Sequence, residues 1–279
     1  MTAHSQAVAL AGDLPGLLLD AKLLAAAAPG LHGRRRAGAG EAFWQYRDHR
    51  AEDGPRLIDW RRSGRGERLY VRDREWEAAQ TAWFWIDPDP GFAWRANEDR
   101  QTKKQRAQTL ALALAILLTR GGERVGALGG ATRAGARAPE RLAFDLAANA
   151  QEPAPPSTRA CVIYLSDFYA PVEQWRARLA RASQAGADGV LVMIADPAEE
   201  DFPFRGRTLF QEPGAAGREA LIGSAENAAA LYRERLAAHR AALREMAAAH
   251  GFPALLHRTD HSAAPTLAFL CALLADRFG

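Results

Sequence analysis

The stretch ACVIYLSDFY, residues 160–169, decides the fold: six apolar, small or aromatic residues run without a charge into Ser166-Asp167. A strand with no polar alternation has both faces buried, which calls for a parallel sheet covered by helices on both sides. The flanking segments fit. PVEQWRARLARASQAG (171–186) reads as a helix with proline in its first turn, and GVLVMIADP (189–197) as another buried strand. Upstream, TAWFWID (81–87) is a strand. EDRQTKKQRAQTLALALAILLTRGG (98–122) is a helix that stops at Gly121-Gly122, followed by a short strand RVGALGG (124–130) and a short helix APERLAFDLAANA (138–150). The proline-rich QEPAPPST (151–158) reads as a linker. Downstream come irregular or short-strand material over 198–224, a long helix over about 225–250, a strand FPALLHRTD (252–260) and a closing helix. The expected class is α/β, a Rossmann-type and mainly parallel sheet. Before it lies an N-terminal extension with a helix over 14–28, a Gly-rich basic stretch LHGRRRAGAGEAF and a strand ERLYVRDREWE (67–77) that could pair with TAWFWID as a hairpin. The expected boundary separates 1–78 from 79–279.

Composition narrows the function classes. The chain has 279 residues, is 48% hydrophobic and 25% charged, and carries a net charge of +3. That is ordinary for a globular protein with a sizeable core and neither demands nor excludes nucleic acid. Cys161 and Cys271 lie far apart in apolar segments and read as buried thiols of a reducing compartment. The longest apolar run, ALALAILL (111–118), falls well short of the ~20 residues that span a bilayer. GLLLDAKLLAAAA (16–28) lacks a basic leader and reads as an amphipathic helix, not a signal peptide. The expected location is the cytoplasm. No phosphate-binding glycine pattern follows the first core strand, which disfavours a nucleotide site.

Asp87, Asp167 and Asp196 all fall at the carboxyl ends of expected strands, where parallel α/β sheets bind ligands. In WFWIDPDPGFAW (83–94), Asp87 and Asp89 stand two apart and face the same side of an extended turn. Three carboxylates converging with Asp167 would have to take up a cation, bind an arginine or raise a pKa. The structural alternative is that Asp87 caps the following turn while Asp89 meets solvent or pairs with Arg95. His257 and His261 read as surface or cap residues, with no third metal ligand in view. Ser166-Asp167 lacks the Gly-x-Ser-x-Gly elbow of a hydrolase.

The block GAGEAFWQYRDHRAEDGPRLIDWRRSGRGERLYVRDREWE (38–77) resembles the bacterial domain of unknown function 58 family, through Gly38, Gly40, Glu41, Phe43, Arg47, Asp53, Arg56, Ile58, Asp59, Trp60, Arg65, Tyr70 and Val71. His49 and Glu52-Asp53-Gly54 depart from the family pattern. The resemblance implies a von Willebrand factor A-like domain whose metal motif, Asp-x-Ser-x-Ser, here reads Asp87-Pro88-Asp89-Pro90-Gly91. It also implies Asp167 as the later aspartate and Thr132 as the loop threonine. Such a site holds Mg²⁺ or Mn²⁺ with one position open for an acidic partner group. Here one hydroxyl has become a carboxylate and another is lost, so the site reads as a remnant. The family further implies a non-enzymatic adaptor working beside a MoxR-type AAA+ ATPase. A metal-dependent hydrolase using Asp87, Asp89 and Asp167 is the enzymatic alternative.

A second alternative is nucleic-acid binding by the arginines of residues 34–72, which interleave with Trp44, Tyr46, Trp60 and Tyr70. Glu41, Asp48, Glu52, Asp53, Asp59, Glu67 and Asp73 are scattered through the same block, which favours intramolecular ion pairs. In that reading Arg56, Asp59 and Trp60 fix the segment to the domain through bidentate arginine contacts.

Overall fold

A computed structural model describes residues 15–27 except 17, 43–48, 58–64, 68–74, 80–148, 160–213 and 219–278. The chain forms two compact units, Met1–Leu31 with Gln80–Gly279, and His32–Ala79.

The smaller unit contains a strand β1 (Phe43–Asp48), a short helix α2 (Trp60–Ser63) and a strand β2 (Tyr70–Arg74). β1 and β2 pair antiparallel, with Asp48 opposite Tyr70 and an irregularity between Phe43 and Gln45. β2, the part of the 67–77 stretch that is described as a strand, therefore pairs with β1 and not with TAWFWID. The latter strand is apolar on both faces and is taken into a buried parallel sheet. The Asp59 carboxylate accepts from the Arg61 amide at 3.1 Å, and the Ser63 hydroxyl accepts from the Tyr70 amide at 2.9 Å. The Asp59 bond caps α2, and the Ser63 bond anchors α2 to β2. Arg68 lies 3.8 Å from Asp48, an exposed ion pair within the basic block.

In the larger unit a helix α1 spans residues 18–27. Then follow β3 (Thr81–Ile86), α3 (Lys103–Arg120), β4 (Arg124–Ala127), α4 (Ala138–Ala148), β5 (Cys161–Ser166), α5 (Val172–Gln184) and β6 (Asp188–Ala195). The chain continues through α6 (Pro197–Asp201), β7 (Thr208–Gln211), β8 (Glu219–Ile222), α7 (Ala225–Ala249), β9 (Ala254–Arg258) and α8 (Ala263–Phe278). The 198–224 region thus resolves into a short helix and an antiparallel β7–β8 hairpin.

Five strands pair in parallel in the order β4-β3-β5-β6-β9. Alternate residues of each strand feed opposite faces. Phe84, Ile163, Leu165 and Val192 pack with α1, α3, α4 and α8, through side chains such as Ala21, Ala25, Leu110, Leu142 and Leu267. Trp85, Val162, Tyr164 and Met193 pack on the other face with Trp175, Leu179, Leu243 and Met246 of α5 and α7. This is the Rossmann-type α/β sheet that the apolar runs imply. From β3 the chain moves outward to β4, then returns to place β5 on the other side of β3. Strand order reverses between β3 and β5, and loops diverging there leave a crevice at their carboxyl ends.

Two positions test the packing. A Cβ on Gly189 would lie 1.8 Å from the Val162 carbonyl oxygen of the neighbouring strand, and backbone cannot move aside. Gly189→Ala is expected to cost about 3 kcal/mol or more in urea unfolding.

His257 is only 3% exposed, not the surface residue expected, because β9 turns it towards α8, where its Nδ1 lies 2.9 Å from Thr266 Oγ1. Burial, reinforced by the Arg106 charge, lowers its pKa to about 4 from 6.5. The unfolded chain then binds the extra proton first. Stability is full above pH 6.5 and falls as pH drops towards 4, by about 3 kcal/mol for this group. His257→Asn is expected to flatten that part of the stability–pH curve, as read by denaturant titration at several pH values.

Candidate functional site

Four loops meet outside the carboxyl ends of β3, β5 and β6. The first leaves β3 at Asp87, which stays in register through its amide on the Leu165 carbonyl at 3.0 Å. One Asp87 oxygen accepts from the Asp89 amide at 2.9 Å and the other from the Ser166 hydroxyl. Asp89 turns back on its own loop, accepting from the Gly91 amide at 2.6 Å and capping the 3-10 turn Pro90–Ala93. Gly91 permits that turn, since a Cβ there would sit 3.0 Å from the Asp89 carboxylate. Arg95 does not pair with Asp89; it donates to the Arg100 carbonyl at 3.0 Å.

The second loop follows β5. The Ser166 hydroxyl accepts from the Phe168 amide at 2.9 Å, and Phe168 adopts a left-handed φ of 59° that a large side chain rarely takes. His239 Nε2 lies 2.8 Å from the Phe168 carbonyl, which further fixes the turn. So constrained, the loop directs Asp167 to the ammonium of Lys103 at 2.8 Å. Lys103 is the first residue of α3 and is 2% exposed.

From the third loop, after β6, Glu199 closes on the same ammonium. Glu199 is placed by a capping box at the start of α6. Its other oxygen accepts from the Asp196 amide at 2.9 Å, while Asp196 accepts from the Ala198 amide at 2.9 Å. Asp196, 1% exposed, also accepts from the Ala96 amide at 3.2 Å and so ties the first loop to the third. Burial works against the Lys103 charge, but the Asp167 and Glu199 carboxylates outweigh it and hold the pKa above the ordinary lysine value. Burial raises the Asp87 pKa, the Asp167 and Asp89 charges add to it, and the Ser166 and Asp89 hydrogen bonds oppose it.

The fourth loop carries the β7–β8 hairpin, which stands over a groove of about 1840 Å³. Trp85, Trp94, Tyr169, Trp175, Phe204 and Tyr232 are among the rings that line it. Tyr169 and Trp94 face the Lys103 ammonium with ring centres 5.2 and 6.0 Å away. Burial, aided by the Glu199 charge, holds the Tyr169 phenol well above its ordinary pKa. Arg178 lies 4.1 Å over the Trp175 ring. Phe202, with a φ of 43°, packs against Phe210 and Tyr232 at the hairpin base. Among the described lining residues six are carboxylates (Asp87, Asp89, Asp167, Glu199, Glu212 and Glu219) and two are cations, Lys103 and Arg178. The groove is acidic and aromatic.

The family model described as Protein of unknown function DUF58 matches residues 45–242. The chain belongs to this family. Every residue named above as lining the groove lies within the DUF58 match, whereas β9 and α8 lie beyond it. No curated protein matches the chain.

Against the expected metal motif of this DUF58 protein, the arrangement is different. Asp87 and Asp167 do come to the same end of the sheet, but Asp167 is on Lys103 and Asp89 is folded onto Gly91. Thr132 is elsewhere. Its hydroxyl accepts from Arg124 at 2.8 Å, and it lies beside Gly126, which is in register with Trp83. Trp83 is four residues short of Asp87, or about 13 Å along the strand at ~3.3 Å per residue. Among the described residues no three His, Cys, Asp or Glu side chains are grouped to hold a metal ion. The residues present do not fit a divalent cation.

Of the family-block residues, Glu41, Asp53, Arg56 and Arg65 lie outside the described residues. Phe43 and Arg47 are on β1, Asp59 caps α2, and the Trp60 side chain is 63% exposed. The sequence reading missed Lys103 and Glu199. The Asp196-x-x-Glu199 capping box was a signal for Glu199. A run of cations in the first turn of a helix, where the dipole disfavours them, was one for Lys103.

The two strand-end aspartates should respond differently to loss of charge. Asp167→Asn leaves Lys103 with one buried carboxylate and is expected to destabilise by about 2–3 kcal/mol. Asp87→Asn removes a charge that burial already opposes and is expected to be neutral or mildly stabilising at pH 7. Because the folded-state pKa of Asp87 is raised, any such gain should disappear as pH falls below 3.8, where both states are protonated. Chemical denaturation of both variants from pH 7 to pH 3 measures this.

Proposed function

We propose that this DUF58 protein is a non-enzymatic interaction module with a von Willebrand factor A-like domain, and that a protein partner docks in the groove at the carboxyl edge of the sheet. The observation that carries the reading is the lining: aromatic rings around an excess of carboxylates at the strand-order reversal, where α/β sheets bind their ligands. Rings supply rigid contact area, and the charge excess favours a partner segment bearing arginine or lysine. The side chains that could do acid–base chemistry are engaged with each other. Lys103 is held charged by Asp167 and Glu199, and the Ser166 hydroxyl is spent on Asp87 and Phe168. The resemblance implies a MoxR-type AAA+ ATPase as the partner class, and assembly or activation of other proteins as the task. The degenerate aspartate motif accords with docking that needs no metal.

The test is direct binding of the purified chain to the MoxR-type ATPase of its own source cells, followed by calorimetry. Affinity is expected to be equal in Mg²⁺ and EDTA and to weaken with salt. The charge reversals Asp89→Lys and Glu212→Lys together should weaken it at least tenfold, about 1.4 kcal/mol. An absence of binding, or binding indifferent to those reversals, would sink the reading.

A further inference from the structure

We infer that Lys103 is the resident cation of this site: its ammonium, fixed to the chain, stands where a bound divalent ion would stand, and the groove works without metal. Three observations converge. First, the ammonium takes one oxygen each from Asp167 and Glu199, carboxylates from two different strand ends that would otherwise face one another. Mg²⁺ and Mn²⁺ are commonly held by one or two carboxylates and waters, with oxygen at about 2.1 Å for Mg²⁺. The Asp167 oxygen at 2.8 Å would need to close in by well under an ångström.

Second, the lysine is rooted at the first position of α3, a helix with no acidic residue in its first turn. A cation there opposes the helix dipole, so the geometry is held by the two carboxylates and not by the helix. Third, the rings of Tyr169 and Trp94 face the ammonium. Aromatic faces suit a fixed cation. The consequence for partner docking rests on the function proposed above; the placement of the cation does not.

Removing the ammonium should turn the place into a true metal site. Lys103→Ala and Lys103→Met are compared with the wild type by thermal unfolding in EDTA and in millimolar Mn²⁺, with Mn²⁺ binding read by electron paramagnetic resonance. The wild type is expected to show neither tight Mn²⁺ binding nor a shift in Tm. Each variant should melt lower in EDTA, bind one Mn²⁺ and recover several degrees of Tm in Mn²⁺. Adding Asp167→Asn should abolish that binding.

One tight Mn²⁺ on the wild type overturns the inference. So do variants that fold but ignore Mn²⁺, or that stay unfolded with Mn²⁺ present, because a cation from solution would then not replace the lysine. These outcomes are independent of partner binding. Loss of the partner with the Mn²⁺ results intact would refute the proposed function and leave the lysine's role standing.

Discussion

The contact of one buried ammonium with two carboxylates organises the working edge of this protein. Lys103 starts the helix after β3, Asp167 ends β5 and Glu199 follows β6, so a single charge cluster joins three successive strand ends. None of the three could be buried alone, since an unpaired charge in a low-dielectric site is far costlier than a paired one. Each is therefore a condition for the others. The left-handed turn at Phe168 is held by Ser166 and His239, and it aims Asp167 at the ammonium. The capping box at Asp196 does the same for Glu199.

Around this cluster the remaining loops distribute their polar groups with little waste. Asp87 and Asp89 satisfy amides of their own turn, and Asp196 binds Ala96 from the β3 loop. Aromatic rings face the groove, together with an excess of negative charge. The β7–β8 hairpin gives that groove its height. It is founded on stacked Phe202 and Phe210, with Phe204 set edge-on to both. The groove so built presents rings and negative charge, while Lys103, Asp167, Glu199 and Ser166 are engaged with one another or with their own loops.

The aspartate motif shows how a chemical list differs from a site. Asp87, Asp89 and Asp167 have the right chemistry for a cation, and all three line the groove at the carboxyl end of the sheet. Yet Asp89 is committed to the Gly91 amide of its own turn, and Asp167 meets a lysine 64 positions earlier in the chain. Thr132 sits level with the middle of β4 because the Gly129-Gly130 turn folds the chain back beside that strand. Asp167 meets an internal cation, and at Asp87 burial, with the charges of Asp167 and Asp89 added to it, raises the pKa.

Much of the architecture was written locally. Strands without polar alternation, such as CVIYLS and GVLVMIA, can only be stable between two helical layers, so the parallel α/β sheet followed from residue pattern alone. Helix stops at Gly121-Gly122 and the aspartates at strand ends followed in the same way. Pairing did not. ERLYVRDREWE has the look of a partner for TAWFWID, but β1 takes it, because strand partners are chosen by long-range packing that no local window records. His257 carries no sign of burial in its own segment and is enclosed only when α8 closes over β9. The site itself is the clearest division. Sequence supplied the strand-end aspartates, while the tertiary fold decided that Asp167 would share one lysine with Glu199, since ion pairing depends on distances that the chain sets only when its strands are in register.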